Sequence, residues 1–182
     1  MQQARVTRLI TEDDATELAE LLTASRAFLA PFEPERAPFY FTPDGQRAAI
    51  RNALASHAQG TSLPHVIRTG SGELAGRITL NGIVRGPFQS CSVGYWVGAA
   101  FTRRGLASAA LRDIISIAFA DGGQQGLGLH RIQAETLLDN LASQRVLARA
   151  GFSQIGMAPT YLKIAGRWQD MFLFQLINPA AD

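Results

Sequence analysis

The sequence predicts an α/β (α+β) fold built on a mixed sheet, and three observations lead to this prediction. Paired strand patterns joined by a glycine-rich turn occupy residues 62–84, which is typical of an antiparallel hairpin. Strand and helix patterns then alternate over residues 93–158, which implies parallel neighbours. The chain has 182 residues, 47% of them hydrophobic and 18% charged, so we expect a sizeable core and a single domain over residues 1–182.

The first strand is predicted over Val6–Ile10, and a helix follows it. Thr11 is the predicted N-cap of this helix, and Asp14 stands at the capping-box position. Leucine and alanine side chains supply one apolar face as far as about Phe28. Prolines interrupt the pattern beyond that point, so residues 30–41 are predicted to form an aromatic-rich loop. Its aromatic side chains either serve only in packing or form a wall of a substrate channel.

A second helix is predicted to begin at the N-cap Thr42, with proline at its first position, and to end at Gly60. Three strand patterns follow it, at Ser62–Thr69, Leu74–Val84 and Gln89–Val97. The first two of them are the hairpin named above, with its turn at residues 70–73.

The next helix is predicted over Arg104–Asp121, and a glycine- and glutamine-rich connection follows at residues 122–128. His130–Leu137 is a strand pattern, and Asp139 is the predicted N-cap of a helix through Ala150. The last strand patterns are Phe152–Ala158, Tyr161–Ile164 and Arg167–Ile177.

Composition narrows the possible partners. A formal net charge of +2 gives no support for a nucleic-acid partner. Cys91 is the single cysteine, which excludes an intrachain disulfide and fits a reducing, cytoplasmic location. No apolar run is long enough to cross a membrane, and the N-terminus has no apolar signal-peptide region. We find no cluster of histidine and acidic residues at ligand spacing, so no metal is predicted.

The segment Gly94–Leu111 begins as a strand and ends as a helix, and the loop between them carries Arg103, Arg104 and Gly105. Such a loop points several backbone N–H groups at one place, and the positive end of the helix dipole adds to their effect. This arrangement predicts an anion site suited to a phosphate or pyrophosphate. The alternative is an ordinary connection with solvated arginines. Neither a Walker loop nor a dinucleotide GxGxxG motif is present.

A second motif follows the strand at residues 130–137. The pattern N-x-x-S-x-x-V-L spans residues 140–147, and Gly151-Phe152 comes after it. Together with the loop and the order of elements, this motif resembles the GCN5-related N-acetyltransferase (GNAT) family. The pattern, and the ending at residues 161–170, resemble the branch of ribosomal-protein-alanine N-acetyltransferases (RimJ/RimL type).

The resemblance implies a GNAT fold, with a mixed six- to seven-stranded sheet, helices on both faces, and a splay between strands 4 and 5. It also implies acetyl-CoA as co-substrate. The family's pyrophosphate loop aligns with residues 102–107, where Thr102 departs from the usual glutamine or arginine. The implied cofactor-binding residues are Tyr95, Trp96, Val97, Arg103, Arg104, Gly105, Leu106, Ala107, Ser108, Asn140 and Ser143. For Asn140 and Ser143 the alternative is a neutral place in the first turn of a helix.

The general base is the weakest part of the resemblance. Many family members carry a glutamate where this chain has Ser92 and a tyrosine where it has Leu147. A weak base favours an α-amino group as acceptor, because its pKa of ~7.7–8.0 leaves it partly neutral, whereas a lysine at ~10.4 is charged. Our candidate base is Glu135, acting directly or through water. The alternative is that Glu135 serves only as an ion-pair partner for Arg131.

Other candidates have smaller roles. By resemblance, Ser143 would give a proton to the leaving thiolate. His65 and His130 are expected to be structural, and Asp170 is a minor candidate for a substrate contact. Cys91 is not placed as a nucleophile.

The sequence therefore predicts an acetyl-CoA-dependent N-acetyltransferase that acts by direct attack in a ternary complex. The favoured acceptor is the N-terminal α-amino group of a ribosomal protein. An acetyltransferase for a small amine, such as an amino sugar or a polyamine, remains an alternative. So do a non-catalytic acyl-CoA-binding regulator and a nucleotide-binding module that does not bind CoA. No membrane or nucleic-acid partner is predicted, and the sequence leaves a homodimer open.

Overall fold

The computed structural model describes residues 5–122 and 126–180. Its strands are β1 (Thr7–Leu9), β2 (Ser62–Arg68), β3 (Leu74–Val84), β4 (Ser90–Val97), β5 (Arg131–Leu137), β6 (Ser153–Ile164) and β7 (Arg167–Ile177). Its α-helices are α1 (Ala15–Leu29), α2 (Pro43–Ala58), α3 (Leu106–Phe119) and α4 (Leu141–Arg149). The strands form one sheet in the order β1-β2-β3-β4-β5-β7-β6. All neighbours are antiparallel except β4 and β5, which are parallel. The predicted mixed sheet is confirmed.

Helices cover both faces of this sheet, as predicted. Side chains alternate between the faces along each strand, so neighbouring residues of β2 enter different clusters. Val66 packs with Leu18 of α1 and Ile50 of α2. Ile67 packs on the opposite face with Ile78 and with Ile114 of α3. The α3 face carries the larger cluster, which also takes in Leu147 of α4.

The first two helices begin close to the capping residues that the sequence predicts. Asp14 Oδ2 accepts a hydrogen bond of 2.9 Å from the Thr11 N–H, and a short 3₁₀ turn then leads into α1. Thr42 is the N-cap of α2, and its Oγ1 accepts from the Gly45 N–H at 3.1 Å. The loop at residues 30–41 contains two 3₁₀ turns, Ala30–Phe32 and Pro38–Phe41.

One predicted helix cap is wrong, and one helix is two residues shorter at each end than its approximate prediction. The N-cap of α4 is Asn140 and not Asp139, because Asp139 lies inside a turn in which the Asn140 N–H donates to Leu137 O. Helix α3 begins at Leu106 and ends at Phe119, inside the predicted limits of residues 104 and 121. Its start is fixed by Gly105, whose φ of 74° is left-handed and so cannot belong to a right-handed helix.

The end of the chain also differs in detail. The two strand patterns predicted at residues 152–158 and 161–164 belong to one strand, β6, with an irregularity between Ala158 and Leu162. Thr160 has a φ of 47° there, and its N–H donates to Asp170 Oδ1 at 2.8 Å. Part of the predicted connection at residues 122–128 lies outside the described residues.

An ion-pair cluster connects the first strands of the sheet, β1 and β2, to the start of α1. Arg8 and Arg68 both donate to the buried carboxylate of Asp14, at 2.5 and 2.8 Å. Burial alone would raise the pKa of Asp14, but the hydrogen bonds from Arg8, the Thr11 backbone and Arg68 outweigh it, and the pKa is lowered. This carboxylate therefore ties β1, β2 and the start of α1 together.

The sheet opens between its two parallel strands. Strands β4 and β5 pair only from Ser90 with Arg131 to Ser92 with Gln133. Beyond that point β4 continues to Val97 beside β3, and β5 continues to Leu137 beside β7. The splay predicted between strands 4 and 5 is therefore present. It leaves the facing backbone edges of both strands without a ladder partner.

Candidate active site

The connection after β4 presents backbone N–H groups to a cleft. Arg103 and Gly105 both have left-handed backbone conformations, with φ of 60° and 74°. The first hydrogen bond of α3 runs from the Ala109 N–H to Gly105 O at 3.0 Å. The N–H groups of the three preceding helical residues therefore have no partner within the helix. These amides and the helix dipole favour an anion at this end of α3.

These amides open into a space of ≈ 410 Å³ that we call the loop cleft. It is lined by the end of β4, the connection, the start of α3 and one face of α4, together with the end of α1 and Phe32. The predicted cofactor-binding residues that line it are Tyr95, Trp96, Val97, Arg103, Gly105, Leu106, Ala107, Ser108, Asn140 and Ser143. Arg104 is outside this set, and its guanidinium lies 5.3 Å from the centre of the Phe101 ring.

The charges of the loop cleft are all positive. Arg103 and Arg149 are the charged residues among the described residues that line it, and no carboxylate is among them. Arg149, in the last turn of α4, was not singled out from the sequence. A cleft with two guanidinium groups and free amides suits an anionic ligand.

Two hydrogen bonds at the opening between β4 and β5 hold the start of α4 in place and connect it to β4. Asn140 Oδ1 accepts from the Ser143 N–H at 3.1 Å, which fixes the first turn of α4. Ser143 Oγ lies 2.9 Å from the hydroxyl of Tyr95. Burial raises the pKa of Tyr95 to about 12, against the smaller effect of the hydrogen bond to Ser143. Tyr95 therefore stays protonated and can donate.

A second space, of ≈ 460 Å³, lies on the other side of the opening. Glu33, Arg36, Arg77 and Glu135 line it, and we call it the charged cleft. Tyr95, Trp96, Asn140 and Ser143 line both clefts, so the two spaces meet between β4 and β5. The predicted aromatic loop at residues 30–41 contributes Phe32 and Tyr40 to the wall of the charged cleft.

The charged groups of this cleft are partly withdrawn from water. Burial raises the pKa of Glu135. Burial also raises the pKa of Glu33, although Arg36 and Arg77 act in the opposite direction. The alternative role of Glu135 as an ion-pair partner of Arg131 is not seen, because no such pair occurs within the described part of the chain.

Sequence reasoning missed Glu33, Arg36 and Arg77. A signal for Arg77 was present, because Arg77, Thr79 and Asn81 alternate with the buried Ile78 and Leu80 on a central strand. Polar residues on a strand inside a sheet that helices cover on both faces indicate a cavity.

The remaining candidates lie outside the clefts. Asp170 holds the irregularity of β6 through Thr160. His65 is buried in β2, and burial lowers its pKa to about 4, so it is neutral at pH 7. The thiol of Cys91 is buried in the core cluster on the α3 face, and burial raises its pKa to about 12.

Within residues 5–122 and 126–180, no three His, Cys, Asp or Glu side chains are grouped to hold a metal ion. Over the same ranges, no helix is both long and apolar enough to span a bilayer.

Comparison with known proteins identifies the family of this chain. Residues 6–153 match the model of the acetyltransferase (GNAT) domain. The chain is 34% identical over 167 residues to the probable N-acetyltransferase YjcK of Bacillus subtilis, covering 91% of this chain and 90% of that protein. It is 33% identical over 175 residues to the [ribosomal protein uS5]-alanine N-acetyltransferase of Escherichia coli, covering 96% and 88%.

A solved structure is similar over most of its length. Mycobacterium smegmatis RimJ, in complex with CoA-disulfide, superposes with a TM-score of 0.88 at 29% identity. The match covers 94% of this chain and 80% of that chain.

Proposed function

The chain belongs to the GNAT acetyltransferase family and resembles within it the ribosomal-protein-alanine enzymes, and from that premise we propose the details of its reaction. The acetyl donor is acetyl-CoA. The acceptor is the N-terminal α-amino group of a protein, and by resemblance a ribosomal protein. The observation that supports this proposal most is the opening between β4 and β5, which joins a positively charged cleft to a cleft that carries carboxyl groups.

The residues of the loop cleft fit the parts of acetyl-CoA. The amides of Leu106, Ala107 and Ser108 would hold the pyrophosphate, with Arg103 beside them. The open edge of β4, at Tyr95–Val97, offers backbone groups to the amides of the pantetheine arm. When bound, acetyl-CoA supplies an acetyl group activated as a thioester.

The charged cleft would receive the amine. Glu135 is the proposed base, which takes a proton from the amine directly or through a water molecule. Its pKa is raised by burial, so it holds a proton more strongly than an exposed glutamate does. As the C–N bond forms and the C–S bond breaks, the amine loses one proton and the CoA sulfur gains one.

The hydroxyl pair at the opening would supply the proton to sulfur. Ser143 would donate from Oγ, and the Tyr95 hydroxyl at 2.9 Å would replace that proton. Tyr95 would then take a proton from water in the cleft, and Glu135 would release the proton of the amine to water, so that the protons balance over one turnover. Tyr95 thus provides, from β4, the phenol that Leu147 does not provide from α4. Cys91 is no candidate for a covalent intermediate, because its thiol is buried and its pKa is raised to about 12.

A protein N-terminus suits this arrangement better than a lysine side chain. The α-amino group has a pKa of ~7.7–8.0, whereas that of lysine is ~10.4. A base of modest strength such as Glu135 is therefore sufficient for an N-terminus, which is already partly neutral at pH 7.5.

The test is a measurement of CoA release with three kinds of acceptor. We expect a peptide that begins with Ala or Ser to react, and the same peptide with an N-terminal block and an internal lysine to remain unmodified. Spermidine and glucosamine serve as the small-amine acceptors. Fast turnover of either small amine, with none of the free peptide, would show that the acceptor is a small molecule.

A further inference from the structure

One guanidinium in the charged cleft has no part in the proposed reaction. Arg77 lies in β3 in register with Trp96 of β4, and its side chain lines the cleft. It projects from the face opposite to Ile78, which packs in the α3 cluster. Within the described part of the chain, Arg77 makes neither an ion pair nor a side-chain hydrogen bond.

This position is unfavourable for an isolated charge. Burial lowers the pKa of Arg77, although Tyr40 and Glu33 act in the opposite direction. The side chain is half-buried, and its guanidinium nitrogens keep contact with the water of the cleft, so they are accessible to a ligand. Partly buried charges without a partner persist mainly at functional sites, where a ligand completes them.

Arg36 and the backbone of Glu33 already have partners. Arg36 is exposed, and its guanidinium lies 4.7 Å from the centre of the Tyr40 ring. The backbone carbonyl of Glu33 accepts from the Ala165 N–H at 3.0 Å, which ties the loop at residues 30–41 to the turn between β6 and β7. Glu33 and Glu135 leave two carboxyl groups in the same cleft. The cleft can therefore bind an amine through its carboxyl groups and an anion through Arg77.

We propose that Arg77 binds a carboxylate of the acceptor, so that the enzyme prefers amines that carry a carboxylate a short distance from the amine. The inference rests on the proposed function, because it takes the charged cleft as the site of the amine. A guanidinium also binds phosphate, but Glu33 and Glu135 disfavour a doubly charged group in the same space.

Two kinds of acceptor carry a carboxylate a short distance from the amine. One is a protein with an acidic side chain among its first residues. The other is a free amino acid with its α-carboxylate. The cleft volume of ≈ 460 Å³ is that of a small-ligand site, so only the first few residues of a peptide fit within it.

The experiment uses the full chain, acetyl-CoA and two sets of acceptors. The first set contains amidated pentapeptides that begin with Ala and carry one Glu at the second, third or fourth position, each with a Gln counterpart. The second set is alanine and alaninamide. We expect at least one acidic acceptor to show a kcat/KM about 10- to 100-fold above that of its neutral counterpart, as is usual for a charged hydrogen bond. Preference in the first set identifies a peptide, and preference in the second alone identifies an amino acid.

Two variants locate this preference. Arg77→Gln should reduce the ratio to about 1 by slowing the acidic acceptor, as expected on loss of a charged hydrogen bond. Arg47→Gln is the control, because Arg47 pairs with Asp44 on α2 and lines neither cleft. Arg77→Lys, which keeps the charge, replaces Arg77→Gln if the latter does not fold, and it should retain part of the preference.

Equal turnover of acidic and neutral acceptors by the unaltered enzyme would overturn the inference, as would a preference that survives in Arg77→Gln. Failure of the proposed function has a different signature. In that case no peptide of either kind is acetylated.

Discussion

The two clefts that meet between β4 and β5 are built in different ways. The loop cleft presents backbone amides and two arginines, and most of its residues come from β4, from the connection after it and from the helices α3 and α4. The charged cleft presents carboxyl and guanidinium side chains from the loop at residues 30–41, from β3 and from β5. A backbone site suits a ligand that is always the same, and a side-chain site suits one whose identity differs between relatives.

The largest expected effect is in the charged cleft. Glu135→Gln should lower kcat by about 10²- to 10⁴-fold, the usual contribution of a general base. The dissociation constant of CoA should stay unchanged, because Glu135 lines only the charged cleft. Steady-state kinetics and calorimetry measure the two quantities separately. Equal loss of CoA affinity would show that the clefts are not independent.

The same variant has a pH signature. Because burial raises the pKa of Glu135 in the folded state, the folded protein binds this proton more tightly than the unfolded chain does. The resulting stability is present below the unfolded pKa and is lost as pH rises through the folded pKa. Glu135→Gln should therefore have a higher Tm than the unaltered protein at pH 7.5, and the gain should vanish at low pH. A lower Tm at pH 7.5 would contradict the direction of this pKa shift.

The next effect is in the loop cleft. Gly105→Ala should weaken CoA binding by about 10-fold, since a strained αL residue shifts the amides that follow it. Gly72→Ala is the matched control. Both glycines have a left-handed φ, of 74° and 88°, and an added Cβ meets no atom within 4 Å at either. Both variants should lose similar stability, of about 1–2 kcal/mol.

Only Gly105→Ala should change the dissociation constant of CoA, as measured by calorimetry. Equal CoA affinity in the two variants would remove Gly105 from the binding site.

The smallest effect is expected where the clefts join. Asn140→Ala removes the N-cap of α4, and Thr42→Ala removes that of α2; each cap accepts one backbone N–H at 3.1 Å, and Thr42 Oγ1 also donates to Phe39 O at 2.8 Å. Both should cost about 1 kcal/mol of stability. Asn140→Ala alone should also lower kcat/KM for both substrates, by about fivefold for a loss of that size. Thermal unfolding and kinetics of the pair check this, and a kinetic loss in Thr42→Ala would contradict it.

The difference between the two clefts also explains which parts of the site could be predicted from the sequence. Gly105 and Asn140 lie in contiguous motifs, so the loop could be predicted from the residues, and the splay and the GNAT fold could be predicted from the family that these motifs resemble. Asn140 was nevertheless missed as the cap, because the turn after β5 extends one residue further than its composition indicates. Glu135 was predicted as a candidate, and the alternation of β3 carried a signal for Arg77. Their proximity to Glu33 depends on how a loop packs against two strands, which no single segment of the sequence determines.

The most direct test of the account is a structure with a bisubstrate ligand, in which the N-terminus of a peptide is joined through an acetyl group to the sulfur of CoA. We predict that this ligand passes between β4 and β5, with its diphosphate at residues 105–108 and its peptide beside Arg77 and Glu135. A ligand that lies wholly on one side of the sheet, or strands β4 and β5 paired along their full length, would contradict the account.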